Sequence, residues 1–234
     1  MLTSTVVRSF FSPFLDFLFP RTCLHCRGLL PDGTRYVCEA CWSSIERVNA
    51  QHSLYKATQR KLLEGGNVDR LASCFVFTTN GVFQSLAHEM KYGKFEKLGI
   101  WLGKHVGEEL KKNQVTADYL IPIPLHKQKL RERGYNQAEL IARGVADVTG
   151  FSVRTDVVRR WRFTETQTQL TIDERKKNMK DAFEVLDSKE ELAGKNIILL
   201  DDVIPTGATI TSCASELKAA GAVTIIAASL ALAE

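Results

Sequence analysis

The stretch Asn196-Ile-Ile-Leu-Leu-Asp-Asp-Val-Ile-Pro-Thr-Gly-Ala-Thr209 decides how this chain folds. Its first five residues form a near-continuous aliphatic run, the pattern of a strand covered on both faces. Two adjacent acids, Asp201 and Asp202, follow. Thr206, Gly207, Ala208 and Thr209 then enter a helix whose stripe is Ile210, Cys213, Leu217 and Ala220. A helix amino terminus offers free N–H groups and the positive end of the dipole, so this turn suits a phosphate. Gly207 permits close backbone approach, and the threonine hydroxyls add donors. Two neighbouring carboxylates repel unless they hold a cation or the hydroxyls of a sugar.

Working outward, strands alternate with helices. Residues 71–78 read as a strand, and Asn80-Gly81 turns the chain into a helix with Val82, Phe83, Leu86, Ala87 and Met90 on one stripe. A second helix carries Leu98, Trp101, Leu102, Val106 and Leu110. Tyr119-Leu-Ile-Pro-Ile-Pro124 is a short buried strand that its proline pair soon ends. Residues 139–148 are helical with Gly150 as the stop, residues 153–161 read as one strand, Phe183 to Val185 as a brief one, and residues 223–230 as the last. The pattern predicts an α/β fold with a mainly parallel sheet. Ligands of such sheets sit at the carboxyl ends of the strands, here after Leu200 and after Pro124.

Four of the six cysteines fall as Cys23-x-x-Cys26 and Cys38-x-x-Cys41, separated by a turn-rich stretch containing Pro31-Asp32-Gly33. Two such knuckles complete a tetrahedral sulfur site for zinc. A unit this small cannot bury enough core alone, so the metal would supply folding free energy. The site is closed, hence structural, and His25 reads as a solvent-facing spacer rather than a ligand. Cys74 and Cys213 lack partner spacing and read as small buried hydrophobes. From Trp42 to about Arg70 the sequence is polar and weakly periodic and reads as a linker. This divides the chain into an amino-terminal module of residues 1–65 and a second domain of residues 66–234.

Composition agrees with a folded protein: 44% hydrophobic and 25% charged residues exclude a disordered chain. The net charge of +4 is too small to argue for nucleic acid by itself. No apolar run approaches the roughly 20 residues of a membrane span. The apolar stretch at residues 10–19 is broken by Pro13 and Asp16 and reads as a short helix capping the next module, not as a signal peptide. Cysteines in ligand spacing in an unexported chain point to the cytoplasm.

The thirteen residues from Ile197 resemble the phosphoribosyl pyrophosphate (PRPP) signature of type I phosphoribosyltransferases: four apolar residues, two acids, two apolar residues, one further residue (here Pro205), then Thr-Gly-x-Thr. Together with Ile121-Pro-Ile-Pro-Leu-His126, Arg131-Glu-Arg-Gly-Tyr-Asn-Gln-Ala-Glu-Leu140, Thr166-Gln-Thr-Gln-Leu170, Arg175 with Asn178, and the double CxxC, the chain resembles the ComF family of competence proteins and its GntX relatives along nearly its whole length. The resemblance implies a type I phosphoribosyltransferase fold behind a small zinc ribbon. It implies that Asp201 and Asp202 contact ribose hydroxyls and help hold Mg²⁺, and that Thr206, Gly207, Ala208 and Thr209 cradle the 5′-phosphate. The segment after Pro124 would be the pyrophosphate loop, with Lys127, Lys129, Arg131 and Arg133 suited to a diphosphate. Residues 162–178 would be a lid closing over PRPP. Lys91-Tyr92 matches a family position at the front of the site, and packing explains these two equally well.

One departure stands out. Family members commonly carry threonine where this chain has Pro205, and purine-salvage relatives carry a catalytic acid there. Proline offers neither an N–H nor an acid. Two functions remain open: Mg²⁺-dependent transfer of phosphoribose to a nitrogen nucleophile, or non-catalytic PRPP sensing in DNA uptake. The partners in the second case would be single-stranded DNA or a competence helicase. A bare zinc-ribbon DNA binder is the weakest reading, since few aromatics are interleaved with the basic residues to stack bases.

Overall fold

The aliphatic run from Asn196 is the centre of the sheet because its side chains alternate between two apolar layers. Ile198 and Leu200 join one buried cluster, and Ile197 and Leu199 join the other. The computed structural model describes residues 20–93, 95–161, 182–186 and 189–233. The apolar stretch at 10–19 and the expected lid at 162–178 lie outside the described residues.

Five strands, β1 (Arg70–Phe77), β2 (Tyr119–Pro122), β3 (Ser152–Val153), β6 (Asn196–Ile204) and β7 (Thr224–Ala233), form one sheet in the order β1-β7-β6-β2-β3. Every pairing within it is parallel. One face is covered by α3 (Val82–Tyr92), α4 (Glu96–Lys112) and α6 (Gln137–Thr149). The other meets α2 (Ser53–Glu64) and α8 (Ala208–Ala219), together with a separate antiparallel hairpin of β4 (Val158–Arg160) and β5 (Phe183–Val185). Short helices α1 (Glu39–Ser43), α5 (Lys127–Arg133) and α7 (Lys189–Leu192) complete the described elements. Among the described residues no helix is long and apolar enough to cross a membrane.

Four expectations need correction. Residues 153–161 do not make one strand: Ser152–Val153 adds an edge to the main sheet, and Val158–Arg160 leaves it for the hairpin. The central strand does not end at Leu200 but continues through the acids to Ile204, because β7 keeps pairing with it as far as Leu232. The segment after Pro124 is not an open loop; His126 caps it, Nδ1 accepting from the Gln128 N–H at 3.3 Å, and it winds into α5. The stretch read as a linker contains α2, whose Leu62 is 1% exposed and packs in the same cluster as Ile210 and Cys213. Its polar residues face water on a helix with a narrow apolar stripe, which weak periodicity hid.

The layer over α4 and α6 is held closer than side chains normally allow. A Cβ at Gly103 would lie 2.1 Å from the Ile141 carbonyl oxygen, and one at Gly144 2.0 Å from that of Ile100. Backbone therefore meets backbone across this helix pair.

The amino-terminal module docks on the same layer. Trp42 lies 4.8 Å from the Trp101 ring, 4.8 Å from His105 and 5.5 Å from Phe75. Residues 46–48 then run antiparallel beside β1, with Val76 N–H donating to Glu46 O and Val48 N–H to Cys74 O.

Candidate functional site

The carboxyl ends of β1, β6 and β7 open onto a cavity of ≈ 370 Å³. Its floor is the segment from Asp201 to Ile210, and Phe77, Ala233 and Lys91 form its walls. Phe77 and Ala233 are register partners at the ends of their strands. Gly207 starts α8 with φ 78, the left-handed conformation that glycine adopts without strain. A Cβ there would come within 2.6 Å of Leu62 Cδ2, so this turn closes tightly on α2. No side chain caps α8 at Gly207, which leaves the first N–H groups of the helix facing the cavity with weak competition. The Thr206 hydroxyl reaches the Ala208 N–H only at 3.5 Å.

The two acids have different surroundings. Lys91, in the last turn of α3, places Nζ 2.8 Å from Asp202 Oδ2. Burial works against the Asp202 carboxylate, but this ammonium outweighs it and holds the carboxyl below its ordinary value. Burial and the neighbouring Asp202 charge push the Asp201 carboxyl up to about 7. Each acid also accepts from the backbone of the next residue, Asp201 Oδ1 from Asp202 N–H at 2.9 Å and Asp202 Oδ1 from Val203 N–H at 2.8 Å. One negative charge is thus compensated by protein, and the second waits for a cation or a proton.

Further positive charge gathers beside the acids. Burial, together with Arg133, Arg160 and Lys91, lowers the Lys129 ammonium below its ordinary value. Burial likewise lowers the Arg160 guanidinium, against the pull of Asp201. Lys91, Lys129, Arg133 and Arg160 thus bring four positive groups near the acids, which suits a dense anion.

The four cysteines form a second centre. Their sulfurs all lie within 4.8 Å of one another, and Cys26 Sγ and Cys38 Sγ are 3.8 Å apart. A tetrahedral zinc with bonds of about 2.3 Å sets sulfur pairs about 3.8 Å apart, so the residues fit that ion. Burial disfavours the Cys23 thiolate, yet N–H groups of Cys38, His25 and Cys26 bring the thiol down to about 6. Burial and the neighbouring thiols push Cys41 up to about 12. A divalent ion would relieve that mutual repulsion, and four sulfurs would complete its tetrahedral sphere.

The double zinc ribbon domain family matches residues 14–53, and the phosphoribosyl transferase domain family matches residues 132–233. Competence protein F of Haemophilus influenzae is 26% identical over 209 residues, which cover 85% of this chain and 91% of that protein. Competence protein ComFC of Bacillus subtilis is 26% identical over 196 residues, covering 81% of this chain and 75% of that one. The chain belongs to the ComF family. DNA utilization protein YhgH of Salmonella typhi is 28% identical over 145 residues, covering 60% of this chain and 63% of its own length.

Within this ComF chain the residues singled out in the sequence separate into groups. Asp201, Asp202, Thr206, Gly207, Ala208 and Thr209 line one cavity. The basic quartet does not line it, and α5 divides it in two. Lys129 and Arg133, one turn apart, are half-buried, and the Arg133 guanidinium lies over the Tyr92 ring at 5.9 Å. Lys127 and Arg131 are exposed. Pro205 is exposed on the cavity rim.

The Gly134-Tyr-Asn-Gln137 segment acts as a bracket around the ComF site. Gly134, at φ 83, ends α5. Tyr135 Oη donates to Met90 O at 2.7 Å, and Asn136 donates to Ile123 O at 2.9 Å while capping α6. His25 is not a solvent-facing spacer: it is half-buried, with Nδ1 3.0 Å from Ser85 Oγ. Cys74 and Cys213 are buried, and burial raises both thiols. Sequence reasoning passed over Arg160. Its one signal was alternation, since it shares a strand face with buried Val158.

Proposed function

We propose that the cavity binds PRPP with Mg²⁺ and that the chain transfers the phosphoribosyl group to a nitrogen nucleophile, in the cytoplasmic handling of DNA or nucleotides to which its relatives' names point. The observation that carries this reading is the convergence of two adjacent carboxylates and an uncapped helix amino terminus on one cavity. The N–H groups from Gly207 to Thr209 would take the 5′-phosphate. Asp201 and Asp202 would bind the ribose hydroxyls and hold Mg²⁺, which supplies charge neutralisation to the pyrophosphate. Lys129 and Arg133 would meet the diphosphate from the β2 side. In transfer, the bond from C1 to the pyrophosphate oxygen breaks and that oxygen leaves with the electron pair. The acceptor nitrogen's lone pair forms the new C1–N bond, and its proton goes to solvent. Positioning and charge stabilisation carry the reaction.

Calorimetry tests the binding. Asp201→Asn combined with Asp202→Asn should abolish Mg²⁺-dependent PRPP binding while fold and bound zinc persist. Retained affinity would remove the assignment. Pro205 favours a second reading, non-catalytic PRPP sensing alongside single-stranded DNA or a competence helicase, because that rim position carries neither an N–H nor an acid. Pyrophosphate release on mixing PRPP with a panel of bases decides between them: release supports transfer, and none beyond background hydrolysis supports sensing.

A further inference from the structure

We propose that the first zinc knuckle positions Lys91 against the carboxylate pair, so that zinc in the ribbon sets the affinity of the distant anion site. The inference rests on the PRPP reading for its binding readout and on geometry alone for its mechanical one.

Helix α3 is gripped from both sides. On the ribbon side, His25 Nδ1 lies 3.0 Å from Ser85 Oγ, and Arg27 Nη2 donates to Glu89 Oε1 at 3.2 Å. Ser85 and Glu89 are four residues apart and share one face of α3. On the site side, Lys91 Nζ pairs with Asp202 at 2.8 Å, and Met90 O accepts from Tyr135 Oη at 2.7 Å. Glu89, Met90 and Lys91 are consecutive, so ribbon and site hold the same last turn. That turn ends at Gly93, whose N–H donates to Glu89 O at 2.8 Å.

The knuckle can transmit its metal state because Arg27 is part of its loop. Arg27 sits at φ 60, a left-handed conformation that non-glycine residues seldom adopt. It is held there by Arg27 N–H donating to Cys23 O at 3.0 Å and by Cys23 N–H donating to Gly28 O at 2.8 Å, bonds that close the turn between two sulfur ligands. When the sulfurs spread, this turn opens and Arg27 leaves Glu89. The second knuckle has a seat of its own, with Trp42 packed against Trp101 and His105 of α4. Removal of Arg27 alone therefore leaves the ribbon seated.

The experiment uses the full-length, zinc-loaded protein and three variants: Arg27→Ala, Glu89→Gln, and the exchange Arg27→Glu with Glu89→Arg. Zinc content and melting temperature should stay at wild-type levels in all three. Amide hydrogen exchange at Lys91, Tyr92 and Gly93 should accelerate in the two single variants and recover in the exchange. The Kd for PRPP with Mg²⁺ should rise about two- to fivefold in the single variants, the range expected for loss of one half-exposed ion pair, and return in the exchange. Unchanged exchange rates at these three amides would overturn the proposal whatever PRPP does. Faster exchange with unchanged PRPP affinity would overturn the link to the site. Absence of PRPP binding in the wild type would count against the PRPP reading instead, and the exchange rates would still decide the mechanical coupling.

Discussion

Gly103→Ala puts two well-measured effects in opposition. Alanine is the better helix former by about 1 kcal/mol, so propensity alone predicts a more stable protein. The new Cβ, however, would stand 2.1 Å from the Ile141 carbonyl oxygen, 2.9 Å from its carbon and 3.0 Å from its Cα. All three obstacles are backbone atoms of α6, which cannot rotate away as a side chain would. The helices must part by roughly 1 Å, opening contacts in a layer packed to crystal density. Overpacking of this kind costs about 1–3 kcal/mol. With backbone as the obstacle the upper end applies, leaving a net loss of about 2 kcal/mol after the propensity gain. For a chain of this size that lowers the melting temperature by about 4–8 °C. Urea unfolding followed by far-ultraviolet circular dichroism, with zinc present throughout, should show a lower midpoint at unchanged slope. A variant as stable as wild type, or more so, would show that α4 and α6 do not touch at Gly103.

Two further expectations concern the metal and the acids. Chelation of zinc should free Trp42 and expose Trp101, two of the three tryptophans, so emission should shift to the red and the melting temperature should fall; unchanged emission would mean that the ribbon stays seated without metal. Asp201 binds its proton more tightly in the fold, with its carboxyl raised to about 7, than in the unfolded chain near about 4. The stability this confers is complete below about pH 4 and is lost as pH rises through about 7. Ligand-free protein should therefore weaken from pH 5 to pH 8, and Asp201→Asn should flatten that decline; parallel pH profiles for the two proteins would contradict it.

The aliphatic run at 196–200, the Thr-Gly-Ala-Thr turn and the cysteine spacings were legible because each is local: a run, a helix start and a knuckle are written in consecutive residues. The parallel α/β fold followed from their alternation with helical stripes. What escaped depended on neighbours distant in sequence. Asp201 to Ile204 stay in the strand because β7 continues alongside, and no local feature records the length of a partner. The glycines at 103 and 144 read as weak helix positions until the helices are seen to meet through them. Lys91 could be packing or site from its sequence context, and only the fold brings it to Asp202. The basic quartet read as one patch, yet helical geometry turns Lys129 and Arg133 inward and Lys127 and Arg131 outward.

The most direct test of the central claim is a crystal structure of the protein with PRPP and Mg²⁺. It should place the 5′-phosphate on the N–H groups of Gly207, Ala208 and Thr209, the ribose hydroxyls on Asp201 and Asp202, and the diphosphate toward Lys129 and Arg133. Space beside C1 would then show what acceptor fits. PRPP bound elsewhere, or a cavity without density at saturating ligand, would contradict the assignment.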